Sequence, residues 1–135
     1  MGVHDPCPGE IREAFKFLID EFGYRIDRDE VSLHGSRPYA YVLEYSGNDR
    51  RVRLVHDYKE EFFYFVLIRG VNTPYPNDSD RVNIVSFLEV FLSFDPSLDP
   101  EVIQPHSKTC GEAALLNARL LREHAADILR GNSWI

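Results

Sequence analysis

Phe62-Phe63-Tyr64-Phe65-Val66-Leu67-Ile68 is apolar at every position. A strand with one wet face alternates, so this run has to be covered on both faces, by helices of its own chain or by another chain. The segment before it does alternate. Val52, Leu54, His56 and Tyr58 fall on one side, with Arg51, Arg53, Val55 and Asp57 on the other. Before that, Tyr39, Tyr41, Leu43 and Tyr45 oppose Ala40, Val42 and Glu44. Ser46-Gly47-Asn48-Asp49 and Lys59-Glu60-Glu61 read as the two short turns between these strands. Strands joined this closely form an antiparallel meander. A further strand is expected from Tyr24–Ile26 and Val31–Leu33, separated from the meander by Gly35-Ser36-Arg37-Pro38. The βαβ rhythm of a nucleotide-binding fold is missing.

Helices flank the strands. Ile11, Ala14, Phe15, Leu18, Ile19 and Phe22 make one stripe at helical spacing over Glu10–Phe22, and Gly23 supplies a left-handed stop. Val71 to Asp80 is a loop by composition. Val82–Phe94 suits a buried strand or a nearly all-apolar helix; its length and a cap at Ser79 or Asp80 favour the helix. Thr109 and Glu112 form a T-x-x-E box that opens a long helix from Cys110 to Arg130, closed by Gly131, with Trp134 and Ile135 folding back on the core. The expected fold is α+β: an N-terminal helix, a three- to four-stranded antiparallel meander, then one or two helices on the sheet. One domain spans 1–135, with 1–9 irregular.

The 135 residues, 44% of them hydrophobic, suffice for one core. Seventeen are aromatic, a surplus that needs burial or a partner. Twenty-two acidic residues against 15 basic ones leave a charge of −7, which disfavours nucleic acid and anionic membrane and suits a basic protein. The first eight residues hold no signal-peptide run, and no stretch approaches the roughly 20 apolar residues of a membrane span. Two cysteines are few for a secreted scaffold, and a cytoplasmic protein is expected.

No motif compels a reaction or a cofactor. His4-x-x-Cys7 and His106-x-x-x-Cys110 contain a zinc ligand set at loose spacing, and nothing in the sequence brings the two segments together, so no metal site is expected. Cys110 in the first turn of a helix, with His106 as base, is the one thiol-hydrolase candidate, lacking an oxyanion site. His56 reads as a half-buried strand residue, and Asp57 points away from it. The acidic clusters at Asp27/Asp29/Glu30, Glu60/Glu61, Asp78/Asp80 and Asp95/Asp99/Glu101 read as turns and solvated edges. Tyr39, Tyr41 and Tyr45, with Tyr58 and Tyr64 on neighbouring strands, are either core or a surface for a protein partner or a second copy.

The layout, with Phe22-Gly23-Tyr24-Arg25 and the Leu129-Arg130-Gly131…Trp134 ending, resembles small uncharacterised bacterial α+β proteins and immunity proteins that neutralise partner toxins. That resemblance implies a protein-binding role without catalysis and assigns no site residues.

Overall fold

The structure is a computed structural model that describes residues 7–77, 79–97, 99 and 109–135. Five strands pair in sequence order, each antiparallel to the next: β1 (Arg25–His34), β2 (Arg37–Gly47), β3 (Arg50–Asp57), β4 (Phe62–Arg69) and β5 (Ile84–Ser86). The turn between β2 and β3 is as tight as a hairpin allows. Asn48 and Asp49, with φ of 53° and 61°, supply the two left-handed positions of a primed turn. At the next turn Asp57 Oδ1 accepts from the backbone N–H of Lys59 and Glu60, and Glu61 takes the positive φ.

The helices are α1 (Cys7–Ala14), α2 (Phe17–Asp20), α3 (Phe87–Phe94), α4 (Cys110–His124) and α5 (Ala126–Leu129). The expected first helix is therefore two, and it starts at Cys7 within the segment expected to be irregular; the helix expected over Cys110–Arg130 likewise breaks at Ala125. Lys16 N–H bonds to Glu13 and Leu18 N–H to Phe15, an i to i+3 spacing that tightens the chain between them. Phe15, Leu18 and Phe22 stay in the core while Ile19 swings out to solvent. Gly23 ends the run at φ +74°.

Val82–Phe94 is not one helix. Ile84–Ser86 pairs with Val66–Ile68, and only Phe87–Phe94 is helical. Ser86 decides the change: its hydroxyl accepts from Glu89 N–H while the Glu89 carboxylate accepts from Ser86 N–H, a complete capping box. Thr109 does the expected work for α4, accepting from Glu112 N–H.

One side of the sheet carries the main core. Tyr41, Leu43, Tyr45, Val52, Leu54, Phe63, Phe65 and Leu67 meet Ile11, Phe15, Leu18, Phe91, Leu121 and Leu129 from the helices. On the other side Val42, Val55, Val66 and Ile68 are also buried. There Glu44 lies between Arg51 and Arg53, the Arg51 guanidinium donates to the Thr73 carbonyl, and Arg53 stands 5.1 Å from the Tyr75 ring centroid. The loop after β4 thus supplies cover for the second face of the all-apolar strand, which the chain buries itself.

The C-terminus is tied to the β2–β3 turn. Tyr24 hydroxyl and Asn48 Nδ2 both donate to the Leu129 carbonyl, at 2.7 and 2.9 Å. Buried Arg50 donates from Nε to Ile128 O and from Nη2 to Ser133 O. Trp134 Nε1 donates to Val82 O, so Trp134 does fold back, whereas Ile135 stays exposed.

Candidate functional site

The five tyrosines do not form one surface. Tyr41 and Tyr45 are 3% and 1% exposed, because α1 lies over their side of the sheet, and they are core rather than partner-binding residues. Tyr41 donates to Asp29 and accepts from Arg12 at 3.0 Å, which ties α1 to the first two strands. Burial, with the Asp29 hydrogen bond, pushes the Tyr41 hydroxyl above its usual range, and burial takes Tyr45 up to about 12. Tyr58 and Tyr64 are half-buried against the core. Only Tyr39, at 47% exposure, is open to a partner.

The cysteines meet. Cys7 opens α1, Cys110 opens α4, and their sulfurs form a disulfide with the Cα atoms 5.9 Å apart. Both helices run away from this link side by side, with Ile11, Ala114 and Ala118 all buried. A Cβ at Gly111 would meet only the end of the exposed Glu10 side chain, which can move aside. Beneath the link lies His56, on β3 between Tyr41 and Phe63 of the flanking strands. Its ring packs edge-on against Tyr58 with centroids 5.1 Å apart. One ligand atom from each of Cys7, His56 and Cys110 lies within 4.8 Å of the other two.

In this state Cys110 has no thiol with which to attack a substrate, and His106, its expected base, lies outside the described residues. His4 also lies outside them. Sequence spacing cannot supply the meeting of Cys7 and Cys110, which depends on how α1 and α4 pack. His56 carries no local signal, because its two companions are distant in the chain and come from different helices.

A second feature is the outer edge of the sheet. β1 is ten residues long, ends the strand order, and is exposed at all but two positions. Its first half is charged and paired: Arg25 with Asp27 and Arg28 with Glu30 within the strand, and Asp29 with Arg12 of α1. Its second half presents Val31 and Leu33, at 44% and 57% exposure, near Tyr39, whose ring meets His34. Charge is the usual protection of a free edge, and here it stops at Glu30.

Elsewhere, Asp80 and Asp95 cap turns by accepting from Asn83 and Ser97, as expected of the acidic clusters, while Asp78 and Glu101 lie outside the described residues. A groove of about 530 Å³ between Phe17 and α4 is lined by Leu115, Ala118 and the Arg119 and Arg122 side chains. No helix among the described residues is long and apolar enough to cross a membrane. No family model, curated protein or solved structure matches the chain.

Proposed function

We propose that the chain is a non-enzymatic binding domain whose β1 edge takes up an extended, basic segment of a partner protein, an action of which toxin neutralisation by an immunity protein is one form. The observation that carries this reading is the free edge of β1 at Val31–His34, where exposed aliphatic side chains stand beside unprotected backbone. Strand addition at such an edge draws affinity from main-chain hydrogen bonds and specificity from alternate side chains. The charge of −7 selects the sign of the partner and speeds its approach. Disulfide-bonded Cys110 lends no support to a thiol hydrolase.

The test uses a ten-residue peptide of alternating lysine and valine, followed through the backbone amide signals of the protein. Binding should shift Arg25–His34, weaken with salt, and disappear in the Val31→Lys/Leu33→Lys double variant, whose exposed sites leave folding intact. Shifts that map elsewhere, or survive the double variant, would sink the idea. So would a stable dimer, in light scattering across a dilution series, that the same variant dissociates, since the edge would then belong to a second copy.

A further inference from the structure

The strongest unexplained constellation is the group of Cys7, His56 and Cys110, which is independent of the β1 edge. Three separate elements, α1, β3 and α4, deliver two sulfurs and an imidazole to one place, with the atoms within 4.8 Å of each other. In a tetrahedral site with metal–sulfur bonds of about 2.3 Å and metal–nitrogen bonds of about 2.0–2.1 Å, neighbouring ligand atoms stand about 3.5–3.8 Å apart. Breaking the S–S bond and letting the sulfurs part by a rotamer adjustment brings the trio to that spacing, and the Cα separation of 5.9 Å leaves room for it.

We propose that the reduced chain binds one borderline-soft divalent cation of the zinc class between Cys7 Sγ, Cys110 Sγ and a ring nitrogen of His56. Two thiolates and an imidazole are the donor set that such ions prefer over oxygen ligands. The cysteines occupy the first turns of α1 and α4, whose positive ends favour anionic sulfur. Cys7 is buried and the other two are half-buried, so the site excludes most water while keeping a way in. The fourth position falls to water or to another donor.

The same sulfurs cannot form a disulfide and hold an ion together, so occupancy follows redox state. A thiol or phosphine reductant supplies two electrons, and with two protons the disulfide becomes two thiols. Binding the cation then releases those protons to solvent. An oxidant reverses the sequence and expels the ion.

Cobalt(II) is the probe, added without air to full-length protein reduced by a phosphine. The expected result is one cobalt per chain, with a thiolate-to-cobalt charge-transfer band and the intense visible bands of tetrahedral cobalt, all displaced by zinc. Oxidised protein should show none of this. His56→Ala should keep the thiolate band and lower affinity by at least about tenfold, while Cys110→Ser should remove at least half the band intensity. Zinc should also protect both thiols of the unmodified reduced protein from alkylation, a readout that needs no variant to fold. No charge-transfer band and no protection would overturn the proposal; an unchanged affinity in His56→Ala would overturn the assignment of His56.

Discussion

The Arg50 guanidinium carbon stands 5.0 Å from the centroid of the Trp134 indole, and Arg69 approaches the same ring at 5.4 Å. Arg50 is buried, and its donors meet the carbonyls of Ile128 in the last helix and of Ser133 beyond it. One side chain from the start of β3 therefore fastens the C-terminal segment by hydrogen bonds and by its cation–π contact.

Replacing Arg50 by Met keeps the aliphatic stem and removes the donors. The Ser133 carbonyl loses its donor, while the Ile128 and Asp49 carbonyls keep the backbone N–H of Gly131 and Gly70, and the expected cost is about 1–3 kcal/mol in urea unfolding. A loss below about 0.5 kcal/mol would mean that solvent replaces the guanidinium at no penalty.

Opening the Cys7–Cys110 link should destabilise the fold. The cysteines are 103 positions apart, and loop-closure entropy for a ring of that size is worth about 4.7 kcal/mol. Urea midpoints of metal-free protein with and without reductant measure it. Equal midpoints would show that α1 and α4 hold together by packing alone.

Stability should fall in alkali. Tyr24, Tyr41, Tyr45 and Tyr64 all have hydroxyls raised above the ordinary value, chiefly by burial, with Tyr45 near 12. The unfolded chain loses these protons near pH 10, before the folded one does, so the stabilisation is complete below pH 10 and declines as pH rises through about 12. Absorbance of tyrosinate and far-ultraviolet circular dichroism should change together in that window. Ionisation of all seven tyrosines near pH 10 with the fold intact would contradict this.

Two glycines should respond to alanine with opposite signs. Gly131 has φ +80°, and a Cβ there would stand 2.8 Å from Asn48 O, so Gly131→Ala should cost about 2 kcal/mol. Gly9 lies inside α1, where a Cβ would meet only the end of the Arg12 side chain at 3.9 Å, so Gly9→Ala should gain about 0.5–1 kcal/mol. Thermal melts of the two variants beside the parent decide both.

The meander is legible in the sequence because its signals are local. Alternation in Tyr39–Tyr45 and Arg51–Tyr58 and the turn residues Asn48 and Asp49 all lie within a few positions of the contacts they specify. The break at Lys16 is hidden because the tightened turn leaves Phe15, Leu18 and Phe22 facing inward, so the stripe looks continuous. Val82–Phe94 misleads by its length, although Ser86 and Glu89 already have the spacing of a capping box. For Tyr41 and Tyr45 the question is which side of the sheet α1 covers, and that depends on tertiary packing. The Cys7–His56–Cys110 group is beyond any local pattern, since its members meet only after the sheet and both helices are assembled.

The disulfide gives the protein a ring-and-tail covalent topology. Residues 7–110 form a closed ring that encloses the whole sheet, and residues 111–135 form a tail whose end is bound back to the ring through Arg50 and Trp134. A single protease cut in the exposed loop after β4 would therefore not divide the molecule. The nicked chain would run as one species in non-reducing denaturing electrophoresis and separate into two pieces only with reductant, which makes limited proteolysis a direct report of the link between the two helices.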